Sequence, residues 1–233
     1  MKKLLCGSAL LVALGAGAPA VAADMRVKAP VQAAPAWSWT GCYIGVHGGG
    51  GVMHDWNTDN HGGGGLAGGQ VGCNYQTGML VLGVEAEGWW SGLKSTHQGG
   101  NFVDGVTHRF DTKNKWDYDV AVRFGLAFDR ALVYGKAGVV VGRFDFDAVF
   151  PLIPGSETGS ATLSGVLIGL GLEYAFGGNW SVKFEYDYLG YLAKDVTFTD
   201  CGFAGPGLCE QVFERVSADK HIFKFGLNYR FGS

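Results

Sequence analysis

Charged side chains recur at every second position along several stretches of this chain. They are Glu85 and Glu87, Asp117 and Asp119 with Arg123 behind them, Glu173, then Lys183, Glu185 and Asp187, and finally Lys224 and Arg230. Carboxylates, amines and guanidiniums gathered in this way can do one of two things. Kept hydrated, they line a path for ions; withdrawn from water, they must pair, because a lone buried charge is costly. The cysteines offer a second chemistry, since Cys42, Cys73, Cys201 and Cys209 remain once an N-terminal export segment carrying Cys6 is removed. An even number in an oxidising compartment points to disulfides. Cys201 and Cys209 bracket "GFAGPGL", and Cys42 and Cys73 lie on successive periodic runs, so these are the two expected pairs. Histidines are the third resource. His54 and His61 sit in a Gly-rich stretch with no CxxC element nearby, which argues against zinc. Nothing pairs His47, His108 or His221 with a Ser and a carboxylate, "HGGGG" and "GGGGLAGGQ" lack the GK[ST] of a phosphate loop, and no GxSxG occurs. No catalytic residue, cofactor or metal is expected.

The elements that position the charges follow from the alternation itself. Period two is the signature of a strand, because successive side chains leave a pleated chain on opposite faces. Runs of this kind cover Trp39–Val52, Gly65–Gln76, Met79–Gly92, Trp116–Phe128, Ala131–Phe144, Ser164–Phe176, Asn179–Gly190 and His221–Phe231. The phase of the fifth run stays open, since facing Lys136 inward sends Arg143 outward. Connections alternate in length: 53–64, 93–113, 145–163 and 190–219 are long, whereas 77–78, 129–130 and 177–179 are short. A soluble sandwich has no reason to obey that rule, but a transmembrane barrel with periplasmic turns and extracellular loops does.

Composition agrees. Of 233 residues 40 are Gly, 13% are aromatic and only 17% charged, which suits closely approaching strands and excludes disorder. Lys2 and Lys3, an apolar stretch from Leu4 to Ala18 and the small residues of "AVAAD" read as a secretory signal over 1–23. A flexible Ala/Pro-rich leader is expected over 24–36, and a barrel over 37–233. Loss of two lysines takes the charge to (18 − 2) − 21 = −5, a poor balance for nucleic acid.

Which face meets lipid follows from the ends of the runs. The apolar faces span about 10 residues, enough to cross a bilayer when tilted, and carry the rings that form interface girdles. Trp90, Trp116, Tyr118, Phe124, Phe128, Tyr174, Phe176, Trp180, Phe184, Tyr186, Phe223, Phe225, Tyr229 and Phe231 are therefore assigned to lipid, and the charged faces to the lumen. Eight strands enclose a space just wide enough for side chains to fill. The expected fold is thus an all-β, eight-stranded antiparallel up-and-down barrel with a salt-bridged polar core.

"WSWTGCYIGVHGGGG", "YDVAVRFGLAFDRALVYGKAGVVVG", "NWSVKFEYDYL" and the closing "FKFGLNYRFG" resemble the small porin-like, immunogenic outer-membrane proteins of alpha-proteobacteria, which are similar to the OmpA-type barrel. The resemblance implies residence in the outer membrane among its lipids and lipopolysaccharide, and insertion by the barrel-assembly machinery through an aromatic last strand ending in Phe. Here Gly232 and Ser233 follow Phe231. A non-enzymatic structural and surface role is expected. The alternatives are a small-solute porin, an adhesin built on the long loops, and, more remotely, a lipid A-modifying enzyme.

Overall fold

Three two-residue turns hold one end of the molecule together. They close the pairs Thr77↔Leu80, Phe128↔Ala131 and Gly177↔Trp180, and each begins with a residue of positive φ: Gly78 at 59°, Asp129 at 53° and Gly178 at 52°. Glycine adopts that conformation freely and Asp tolerates it, so the turn chemistry sits where the sequence changes strand. The computed structural model describes residues 37–55, 61–101, 106–150, 155–201 and 209–231. The signal and leader expected over 1–36 lie outside the described residues.

Nine antiparallel strands and no helix occur among the described residues: β1 (Gly41–Asp55), β2 (His61–Thr77), β3 (Leu80–Ser91), β4 (Lys94–Asn101), β5 (Val106–Phe128), β6 (Ala131–Phe150), β7 (Gly155–Gly177), β8 (Trp180–Cys201) and β9 (Cys209–Phe231). Because β1 pairs with both β2 and β9, the sheet closes on itself. β3 and β4 are one wall, interrupted only at Gly92 and Leu93 and paired throughout with β5. The ring therefore has eight walls, and a closed barrel leaves no edge to aggregate.

The strands are far longer than the alternation alone indicated. β5, β7 and β9 run for 23 residues each, whereas about 9–11 tilted residues cross a bilayer. The stretches expected as long loops, 53–64, 93–113, 145–163 and 190–219, are mostly paired strand that extends the barrel past the belt of outward apolar residues. On β5 and β8 a bulge hides the pattern. An extra residue on β5 between Asn114 and Trp116, and another on β8 between Tyr191 and Lys194, each shift the register. A one-residue shift exchanges the two faces of a strand, so a run followed through the bulge loses its alternation. Trp39 also departs from the strand reading: β1 begins at Gly41, and Trp39 turns into the barrel mouth.

Candidate functional site in the barrel lumen

Among the described residues the lumen is filled in three layers. At the mouth beside the tight turns, Trp39 is fully buried with Val81, Ala127, Leu132, Tyr134 and Ala175. Its backbone N–H donates to Gln76 Oε1 at 2.6 Å and its indole Nε1–H to the Asp129 carbonyl at 3.1 Å. The Arg230 guanidinium lies 4.7 Å from the Trp39 ring and 4.6 Å from that of Trp37.

Above it lies the charged layer. Arg123 donates to Glu173 at 2.8 Å and to the Tyr43 hydroxyl, which in turn donates to Glu85 at 2.6 Å. Ser181 and Asn228 donate to the other oxygen of Glu173. Lys136 is within 3.0 Å of Glu87 and 2.8 Å of Glu185. Lys224 lies 2.8 Å from Glu185, 2.6 Å from Asp187 and against Glu87, and Lys183 packs on Glu87, Glu85 and Glu185. These lysine and carboxylate side chains have zero solvent exposure. Buried from bulk water, their mutual attraction must offset roughly several kcal/mol of desolvation per ion, and the many-to-many contacts supply that. Both oxygens of Asp119 lack a hydrogen-bond partner among the described residues. Asp117 sits higher, taking bonds from Lys220 (2.7 Å), Tyr191 (2.5 Å) and Asn114 (3.2 Å).

Small residues make the layer possible. A Cβ on Gly169 would stand 2.0 Å from Asp187 Oδ1, and one on Gly171 would stand 2.3 Å from Tyr134 Cζ. Glycine there leaves room for the Tyr134 hydroxyl to donate to Glu185 at 2.7 Å.

The third layer is apolar. Met53, Leu66, Trp89, Leu93, Val140, Phe144, Phe146, Leu163, Phe198, Val216 and Ile222 pack together across the inside of the extended strands. Outside, the same segment carries Lys113 against Asp147 (2.9 Å), Lys115 against Asp145 (3.4 Å) and Arg143 against Ser160 (2.6 Å). The hydrogen bond to Asp147 and that residue's negative charge raise the Lys113 ammonium above the usual lysine range. Lys136 faces the lumen and Arg143 the exterior with no bulge between them, so the fifth predicted run keeps one phase and Arg143 simply lies beyond the apolar belt.

That belt completes the geometry. Among the outward rings, Trp90, Tyr118, Phe124, Tyr174, Phe184, Phe225 and Phe231 are all exposed, while Tyr186 and Tyr229 are half-covered by neighbours. An exposed apolar band encircling a closed barrel needs hydrocarbon around it.

A family model for the outer membrane protein beta-barrel domain matches residues 8–231. The chain belongs to that family. It is 31% identical to the 31 kDa outer-membrane immunogenic protein of Brucella melitensis over 91% of this chain and 93% of the relative. It is 32% identical to the 22 kDa outer membrane protein of Rhizobium leguminosarum bv. viciae over 76% of this chain and 75% of the relative. Its fold is similar to that of a major outer membrane protein from Thermus thermophilus, at a TM-score of 0.56 and 16% identity over 82% of this chain and 99% of that one. The protein is an outer-membrane β-barrel, and its belt lies in the lipid of that membrane.

The cysteines of this outer-membrane barrel differ in setting. Cys42 and Cys73 face each other across β1 and β2 and are disulfide-bonded on the outer wall, near the end that carries the turns. Cys209 is disulfide-bonded and stands opposite Cys201 in the β8–β9 register; the Cys201 side chain lies outside the described residues, as does that of His108. His47 points inward to Gln70 at 2.7 Å. Lys136, in the charged layer, is left open by the sequence, and Lys220, above it against Asp117, is missed. Lys136 carries the correct period but an apparent conflict with Arg143, and Lys220 stands just before the run that the alternation marks.

Proposed function

We propose that this barrel is a non-enzymatic component of the outer membrane whose lumen is closed to solutes, and that it stabilises the envelope while holding a rigid strand-built collar outside the bilayer. The observation that supports this most directly is the stack of layers: an apolar seal around Trp39, a buried ion network, and a second apolar seal around Phe144 and Phe198. A hydrated path would need a gap through all three. Residues 1–23 serve as the export signal and the aromatic β9 as the recognition strand for the assembly machinery, with lipopolysaccharide around the finished belt. In planar bilayers the purified protein is expected to give no steady conductance steps; reproducible steps of constant size would establish the small-solute pore instead.

A second reading, an interaction surface on the collar, has one observation of its own. Leu192 and Phe213 are exposed by 65% and 74% on an otherwise polar outer wall. Substituting both with Ser should abolish adhesion to host-cell surfaces if they form such a contact, and unchanged adhesion removes them from it.

A further inference from the structure

At the upper rim of the lipid belt, where β1 meets β9, two histidines and an aspartate share one outward patch. His54 and Asp219 are directly opposed in the strand register, and His221 lies two residues along β9 on the same face. The His54 Nδ1 is 3.2 Å from Asp219 Oδ2 and the His221 Nε2 is 3.7 Å from the same oxygen. The three candidate donor atoms all lie within 4.8 Å of one another. Tetrahedral zinc with bonds of roughly 2.0–2.1 Å requires donor atoms about 3.3–3.5 Å apart, and the two histidine–carboxylate spacings bracket that requirement.

A second observation points the same way. The His221 Nδ1 is 2.7 Å from the Tyr186 hydroxyl. With its Nδ1–H donated to that oxygen, the ring presents the Nε2 lone pair toward Asp219, which is how an outer partner fixes tautomer and orientation in histidine metal sites. Tyr188 packs its ring 5.2 Å from His221 and limits its swing. The side chains of His54, Asp219 and His221 are 28%, 38% and 36% exposed, leaving room for water or an external ligand to complete the coordination. The donor set, two imidazoles and one carboxylate, suits zinc, nickel or copper and not calcium or magnesium, which prefer all-oxygen shells.

We propose that His54, Asp219 and His221 form a surface site for a divalent transition metal ion at the extracellular edge of the membrane belt. Tyr186 acts there as a positioning residue. The site needs neither a closed nor an open lumen. In the register, His61 on β2 stands opposite His54, so a further histidine originates on the adjacent strand.

The test uses the full-length mature barrel in detergent, stripped with a chelator and titrated with zinc against a chromophoric indicator. One equivalent should bind, and His221→Ala and Asp219→Asn should each weaken binding at least tenfold while the gel shift between unboiled and boiled protein persists. Tyr186→Phe should weaken it by roughly ten- to a hundredfold with no change in melting temperature. Should a variant fail to fold, copper(II) bound at one equivalent to the unaltered protein should still show imidazole nitrogen hyperfine structure in its electron paramagnetic resonance spectrum. No binding at millimolar zinc, affinity unchanged in the His221→Ala and Asp219→Asn variants, or an oxygen-only copper spectrum would overturn the site and leave Asp219 as an ordinary polar neighbour of the two histidines.

Discussion

Along β6 the outward positions read Val133, Val139 and Val141, then Arg143, Asp145 and Asp147, while the inward ones read Lys136, Gly138 and Val140, then Phe144, Phe146 and Ala148. Within one uninterrupted strand the outer face is apolar in the belt and charged in the collar, while the inner face carries Tyr134 and the charged Lys136 in the belt and only rings and aliphatics above it. The alternation never changes; the surroundings do. In the belt the outer face meets hydrocarbon, so polar groups retreat to the lumen and must pair there. In the collar the outer face meets water, so rings and aliphatics collapse inward as they do in a soluble protein. What counts as a core is thus set by the medium, and one barrel holds both solutions end to end.

The largest effect should come from the charged layer. Glu87→Ala leaves Lys136, Lys183 and Lys224 with Glu185 as their one remaining shared carboxylate, and a broken buried pair costs roughly 3–5 kcal/mol. Urea titration of the folded band should show the midpoint fall sharply, and a shift no greater than that of a surface variant would mean that water reaches the layer. In the collar, Phe198→Ala should cost about 3 kcal/mol by opening a cavity in the apolar seal; a negligible loss would argue against a packed interior there. Placing a charge on each outer wall sharpens the contrast. Leu170→Arg in the belt should cost roughly 2–4 kcal/mol near the bilayer midplane, whereas Thr197→Arg on the collar should stay within about 0.5 kcal/mol. Equal penalties at the two sites would erase the distinction between the walls. Smallest of all, Asp147→Asn removes the exposed partner of Lys113 and should change the urea midpoint by no more than the scatter between preparations.

The belt is legible in the sequence and the collar is not, for one physical reason. In the belt, alternation coincides with large contrasts in side-chain polarity, so Trp116 to Phe128 and Ser164 to Phe176 announce both strand and phase. The turns announce themselves through Gly78, Asp129 and Gly178. Above the belt the contrast is smaller and of opposite sense, and the bulges beside Lys115 and at Leu192 and Ala193 break the count, so paired strands look like loops. Lys220 shows the cost of that error: it belongs to the lumen, bonded to Asp117, but lies in sequence with no visible period. Trp39 is illegible for a different reason. A ring next to a strand start carries no sign of whether it continues the ladder or turns into the mouth, and only the closed barrel around it decides.

The reversal of polarity along β6 is tested most directly by spin labels at single introduced cysteines, Val139→Cys, Asp145→Cys and Phe146→Cys, in lipid vesicles. The label at 139 should collide with membrane-dissolved oxygen, the label at 145 with an aqueous nickel chelate, and the label at 146 with neither. Equal accessibility at 139 and 145, or free access of the chelate to 146, would contradict a barrel that is inside out in the membrane and ordinarily packed above it.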